Sequence, residues 1–195
     1  NAEQFQKVGD IIRSEESRRY VVPSAPGKRF STDTKVTDLL YACYDKAEAG
    51  EDFSDILTEI KSRFYEIIKG LNLDLSLEEE FRQIEADFKA HAGNEYAASR
   101  GEFLNGKVMA AYLGYEFIDS ATVIRFDKNG NFDADKTDKL LAKRLQKCER
   151  AVIPGFYGAD EQGEIITFSR GGSDVTGSLV AASINADLYE NWTDV

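Results

Sequence analysis

The sequence predicts an α/β fold with three layers, α/β/α, built on a mainly parallel sheet. Three observations predict it. Apolar residues recur at helical spacing over long segments, as at Phe53, Ile56, Leu57, Ile60, Phe64, Ile67 and Ile68. Short apolar runs of strand type, Tyr20-Val21-Val22 and Ala151-Val152-Ile153 among them, lie between such segments. The chain has 195 residues, 42% of them hydrophobic, enough to bury a sizeable core. Alternating helices and buried strands are the pattern of a parallel sheet covered on both faces.

The elements follow in order. The chain opens in a helix with the stripe Phe5, Val8, Ile11 and Ile12, with nothing before it to act as a first strand or a cap. Tyr20-Val21-Val22 is a short buried strand. Val36, Leu39, Leu40, Cys43 and Tyr44 mark a helix, and Phe53 to Ile68 a longer one closed by Gly70. Ser76 and Glu79 spell a capping box for a helix carrying Leu77, Phe81, Ile84 and Phe88. Asn94 caps the next helix, which runs through Leu104 and Val108 towards Leu113. The stretch 50–92, helical without a strand, reads as a helical insertion on the sheet. Strands are expected at Glu116-Phe117-Ile118 and at Val123-Ile124-Arg125-Phe126, with a hairpin turn at Asn129-Gly130. A helix with Leu140, Leu141 and Leu145 precedes Ala151-Val152-Ile153. After the glycine-rich segment Pro154-Gly155-Phe156-Tyr157-Gly158, Gln162-Gly163 turns the chain back into Ile165-Ile166-Thr167-Phe168. Leu188 to Val195 is strand-like. Both ends read as cut, as in a fragment.

Several function classes are disfavoured. The net charge of −11 argues against broad nucleic-acid binding, which needs a basic face. No apolar run is long enough to span a membrane as a helix, and no signal peptide is present. Cys43 and Cys148 lack metal-ligand spacing and read as packing residues of a reduced, cytoplasmic protein. His91 is the only histidine, which excludes a His-rich zinc site, and it reads as a surface residue at a helix end. Asp127-Lys128-Asn129-Gly130-Asn131 places its glycine fourth, whereas a calcium loop of the EF-hand type needs it sixth. No metal-ligating set of side chains is expected.

The most informative segment is Ser169-Arg170-Gly171-Gly172-Ser173-Asp174. It joins a strand to a helix with apolar positions at Val175, Leu179, Val180 and Ile184. Glycines allow close approach to the backbone, and unpaired N–H groups at a helix start favour an anion. Arg170 adds a cation able to grip a carboxylate or phosphate bidentately. An ordinary turn with a serine cap is the competing reading. No lysine follows the glycines, so this is not a Walker A loop, nor does it fit Gly-x-Gly-x-x-Gly.

Other candidates sit at strand ends and in helices. Ser24-Ala25-Pro26-Gly27 follows the first strand, where α/β proteins bind ligands, with Lys28 and Arg29 close by in sequence. Thr37 opens the next helix. Glu102 follows Gly101 within a helix, where a glycine costs about 1 kcal/mol relative to alanine and marks a close approach by another helix or by a substrate. Thr193 and Asp194 lie at the far end, beside Trp192, whose usual place is the core.

Pro154-Gly155-Phe156-Tyr157-Gly158, then Thr167 to Thr176, then Asn191-Trp192-Thr193-Asp194-Val195 resemble, in order and spacing, the aspartate kinases of the amino acid kinase family. Val21-Val22-Pro23-Ser24-Ala25, Val36-Thr37-Asp38-Leu39-Leu40 and Ser99-Arg100-Gly101-Glu102 are collinear, weaker matches, so the likeness covers nearly the whole chain. The resemblance implies phosphoryl transfer from ATP, bound with Mg2+, to the β-carboxylate of L-aspartate, the first step of the pathway to lysine, threonine and methionine. It implies that Arg170 holds the substrate α-carboxylate and Glu102 its ammonium, with Ser24, Thr37 and Ser173 completing the pocket. Gly171, Gly172 and Ser173 would lie along the transferring phosphate, with Asp174 the acidic residue at the reaction centre and Thr193 and Asp194 meeting the nucleotide. The acceptor is already ionised, so positioning and charge neutralisation carry the chemistry and no histidine is needed.

Departures accompany the likeness. The family's Lys-Phe-Gly-Gly strand, its nucleotide-binding part beyond Thr-Asp-Val and its regulatory domains are absent from this sequence. Ser169 stands where a glycine is usual, and Lys28 to Thr32 lengthen the loop before Thr37. The expectation is a partial kinase domain, inactive alone and a homo-oligomer when complete. A sister kinase for another amino acid, or a non-catalytic amino-acid-binding module, are the alternatives.

Overall fold

The computed structural model describes residues 1–169 and 171–192. Seven helices run Ala2–Arg13 (α1), Val36–Glu48 (α2), Ser54–Gly70 (α3), Glu78–Lys89 (α4), Asn94–Leu113 (α5), Ala134–Leu145 (α6) and Gly172–Ser183 (α7). Strands Tyr20–Val21 (β1), Glu116–Phe117 (β2) and Ala151–Val152 (β3) form a parallel sheet in the order β1-β3-β2. Tyr20 and Glu116 both register with Ala151. Tyr157–Ala159 (β4) and Ile165–Thr167 (β5) form an antiparallel hairpin.

Side-chain alternation explains the layers. Val21, Phe117 and Val152 point to one face and join the large core built by α1 to α5. Tyr20, Val22, Ile118, Ala151 and Ile153 point to the other and join a core with Leu141 and Leu145 of α6 and Val180 of α7. Period-two alternation on a strand buried on both sides thus produces helix, sheet, helix. The helices within 50–92 belong to the larger core: Phe64 and Phe81 stack edge to face, as do Tyr44 and Phe88.

Local differences from the sequence-based expectation have specific causes. Asn1 caps α1, its side chain accepting from the Gln4 N–H at 3.0 Å. Val8 is exposed, so the buried stripe of α1 is Phe5 and Ile12. Gly70 is the last residue of α3, and a Cβ there would lie 2.6 Å from the Ala2 Cβ. It permits the α1–α3 approach, while Asn72 takes the left-handed conformation that ends the helix (φ 53°). Ser76 accepts from the Glu78 N–H at 3.3 Å, but buried Leu77 occupies the cap position and Glu79 pairs with Arg82. Gly93 (φ 96°) precedes α5 and Asn94 is its first residue. Cys148 lies just past α6, buried and free.

The expected strand at 123–126 reduces to isolated pairings of Arg125 with Ala159 and Phe126 with Phe132. A 3-10 turn at Ser120–Thr122 uses up the preceding residues. The reversal at 127–131 forms as expected, with Gly130 at φ 78° and the Asp127 carboxylate accepting from the Asn129 and Asn131 N–H groups. Residues 188–192 form no strand. Side chains tie them down instead: Glu190 meets Arg18 with both oxygens, and the Tyr189 hydroxyl donates to the Asp174 carbonyl at 3.3 Å. Trp192 is 63% exposed rather than core, its ring 5.9 Å from the Arg18 guanidinium.

Candidate functional site

Helix α5 carries a buried polar stripe, Ser99, Arg100, Glu102 and Asn105. It crosses the sheet at the carboxyl ends of β1 and β3, and small residues let it sit close. A Cβ on Gly101 would lie 3.0 Å from the Ala25 Cβ, and one on Gly106 would lie 2.6 Å from the Pro154 Cγ. The close approach at Gly101 is therefore made by the loop after β1 and by Val36 and Leu40 of α2.

Glu102 is 7% exposed, and its Oε2 has no hydrogen-bond partner among the described residues. Burial pushes its carboxyl up to about 7, against the opposing pull of backbone N–H groups, including that of Ala25, and of the Arg100 charge. A buried carboxylate with an unused oxygen is a receptor for a cation with N–H donors.

Asn105 fixes the neighbouring loop, its Nδ2 donating to the Ser24 carbonyl at 2.6 Å. The Gly155 N–H donates to the Pro23 carbonyl at 3.1 Å. The Ser24 side chain is exposed, and half-buried Thr37 lies in the first turn of α2 beside Val36. Lys28 is exposed, and Arg29 is committed to Asp33 through two hydrogen bonds of 3.0 Å, so it supplies no free cation to an anion site. Asp33 also pairs with buried Arg63, which bonds the Thr34 and Gly27 carbonyls and so pins this long loop onto α3.

The glycine turn is packed against the segment after β3. Gly171 adopts φ 57°. A Cβ on Gly172 would lie 2.8 Å from the Phe156 Cα, and one on Gly155 would lie 2.6 Å from the Ser173 Cα. The glycine pair thus serves the chain's own packing as well as any ligand. Phe156, a non-glycine residue, is held at φ 81°, a conformation that costs on the order of 1–3 kcal/mol. Thr176 holds it there: its Oγ1 accepts from the Phe156 N–H and donates to the Gly172 carbonyl at 2.8 Å. The start of α7 faces outward, with Asp174 exposed and its Oδ1 accepting from Asn191 Nδ2 at 3.2 Å.

Ser24, Thr37, Glu102 and the Gly171–Asp174 turn are therefore linked through Gly155 and α5 at one end of the sheet. Arg170, Thr193 and Asp194 lie outside the described residues. His91 is exposed at the end of α4, as its sequence position suggested. Arg100, Asn105, Phe156 and Thr176 were not singled out in sequence, although polar residues two before and three after Glu102 in a helix with two glycines were a usable signal. Among the described residues there is no group of three or more histidine, cysteine or acidic side chains placed to hold a metal. No described helix is long and apolar enough to cross a membrane.

Comparison with known proteins identifies the family and the fold. The amino acid kinase family matches residues 1–195. Aspartokinase 3 of Bacillus subtilis is 37% identical over 207 residues, covering 98% of this chain and 45% of that protein. The crystal structure of Clostridium acetobutylicum aspartate kinase superposes with a TM-score of 0.95 at 49% identity, over 100% of this chain and 45% of that one. That of E. coli aspartokinase III in complex with aspartate and ADP gives 0.82 at 26% identity, over 100% and 46%. The chain thus spans about half the length of these relatives. The match over its whole length shows that the chain belongs to the amino acid kinase family.

Proposed function

We propose that this chain is the amino-acid-binding part of an aspartate kinase, which transfers the terminal phosphoryl group of ATP to the β-carboxylate of L-aspartate. The observation that carries this reading is the buried Glu102, with its unused oxygen beside the loop after β1. An α-amino acid brings an ammonium to match it. Arg170 takes the α-carboxylate, and Ser24, Thr37 and Ser173 fill out the pocket. The acceptor oxygen is an anion at neutral pH, so the residues' work is alignment and neutralisation rather than proton removal.

The N–H groups opening α7 lie along the phosphate path, where the helix start favours negative charge. Mg2+ bound with ATP would supply neutralisation of phosphate charge there. Asp174, an exposed oxygen donor in the first turn of α7, is of the right chemistry to meet it. Thr193 and Asp194 meet the nucleotide. ATP as donor and two free, buried thiols fit a cytoplasmic protein. Support also comes from the relatives' names and from the aspartate and ADP bound in the E. coli structure.

The test is trapping of aspartyl phosphate as its hydroxamate by the intact protein. Wild type is expected to form it only with both ATP and L-aspartate. Arg170→Ala and Glu102→Gln are each expected to lower kcat/KM for aspartate at least about 100-fold, the loss of a charge-assisted contact in a buried site. Unchanged turnover in either variant removes that residue's assigned role, and no product from wild type removes the reading.

A further inference from the structure

Helix α5 buries four polar side chains, and two of them are engaged with each other. The Ser99 hydroxyl donates to the Tyr96 carbonyl at 2.7 Å and accepts from the Arg100 guanidinium. The other two, Glu102 and Asn105, are 7% and 6% exposed, and each keeps an oxygen with no partner among the described residues. Among those residues they hold the two buried side-chain oxygens left so. A buried acceptor without a donor costs on the order of 1–3 kcal/mol, so two in one place need a reason.

Residues three apart on a helix share a face, with Cβ atoms about 5–6 Å apart, so Glu102 and Asn105 are neighbours. Both also meet the same dipeptide of the loop after β1. Asn105 Nδ2 donates to the Ser24 carbonyl at 2.6 Å. Ala25 packs on Gly101, beside Glu102, and its N–H acts on the Glu102 carboxylate. The bond to Ser24 fixes which way the Asn105 amide lies. Turned over, its oxygen would face the Ser24 carbonyl oxygen, acceptor against acceptor. Oδ1 is therefore the unused atom.

We propose that Asn105 is a second acceptor for the ammonium group of the amino-acid substrate, its Oδ1 taking one N–H while Glu102 Oε2 takes another. The inference rests on the aspartate kinase reading. An ammonium carries three N–H donors and gives up its water on entering a buried site, so one carboxylate oxygen leaves donors unmet. An amide suits the second position better than another carboxylate. Glu102 already matches the positive charge, and a further anion beside it would be repelled. The amide adds an acceptor without charge, and its own NH2 holds the Ser24 loop. Asn105 is thereby a determinant of substrate choice. Its oxygen binds an α-ammonium and offers nothing to a dicarboxylic acid that lacks one.

The experiment is calorimetric titration of the intact protein, wild type and Asn105→Leu, with L-aspartate and with succinate, which keeps both carboxylates and lacks the ammonium. Asn105→Ala serves as a second replacement should the leucine variant fold poorly. Loss of the acceptor is expected to weaken L-aspartate binding at least about tenfold, as for a hydrogen bond to a charged group, and to change succinate binding less than about twofold. A residue that only holds the Ser24 loop would lower both alike. A crystal structure of the intact protein with L-aspartate gives a second readout. Asn105 Oδ1 is expected within about 3.2 Å of the ammonium nitrogen.

Unchanged aspartate binding, or an equal loss for aspartate and succinate, overturns the inference while leaving the aspartate reading intact. So does a bound structure in which Asn105 Oδ1 meets a water or a protein donor instead of the ammonium. Should succinate bind wild type too weakly to titrate, that structure decides alone. Absence of aspartate binding by wild type overturns both.

Discussion

At Glu102 the cost of burial and the need of the chemistry oppose each other. Its carboxyl is raised from 4.5 to about 7 by burial, so the folded state holds that proton more tightly than the unfolded chain does. A raised carboxyl favours folding fully below pH 4.5, and that contribution is lost as pH rises through about 7. Ionised Glu102 therefore costs about 3 kcal/mol of stability at pH 8. Urea unfolding should show wild type losing about that much between pH 4.5 and pH 8 relative to Glu102→Gln, with the variant the more stable at pH 8 despite losing aspartate binding. A constant difference between the two proteins across this range would contradict the assigned burial cost. Glu102 and its glycine neighbour were legible in the sequence, because a carboxylate beside a mid-helix glycine is out of place on a packed helix. Asn105 and Arg100 were marked in the sequence only as polar positions of a glycine-containing helix, because a polar residue in a helix declares its burial only through what packs over it.

At the scale of elements, the β5–α7 turn and the segment after β3 depend on each other. Gly155 and Gly172 each lie where a Cβ would press on backbone of the other segment. Gly172→Ala is expected to cost about 1–3 kcal/mol, since backbone cannot yield as a flexible side chain can. It should lower turnover as well, because it prises Phe156 away from the turn. Gly27→Ala is the control: nothing lies within 4 Å of a Cβ there and its φ is not positive, so its melting temperature should match wild type. Thermal denaturation of both variants checks the contrast, and an equal loss in both would show that close packing at Gly172 is not the reason for its glycine. The glycine pattern announced a turn in sequence. The strained φ of Phe156, and Thr176 as the residue that holds it, arise between segments that are far apart in the chain.

Over the whole molecule, one three-stranded sheet separates two cores. Leu104 of α5 is fully buried in the core formed with α1 to α4, and Leu141 of α6 is 1% exposed in the core on the other face. Truncating either to alanine should cost about 2–5 kcal/mol. Because Ala151, Val152 and Ile153 contribute to both cores, each loss should appear in a single unfolding transition followed by two optical probes. Separate transitions would mean that the two faces fold independently.

The sequence by itself determined the helices, the short buried strands and the sandwiching of a parallel sheet, because hydrophobic period and turn chemistry are local properties, while the family followed from the resemblance carried by its glycine-rich segments. It misplaced the strand at 123–126 and, as far as residue 192, the one expected over 188–195, where apolar residues are tied by a 3-10 turn and side-chain contacts instead of sheet pairing. Only the tertiary structure decided that Arg29 is spent on Asp33, that Gly101 makes room for Ala25, and that Glu102 keeps an unpartnered oxygen. Charge and burial at those positions are set by the segments that come to lie against them, and no local pattern encodes that distance.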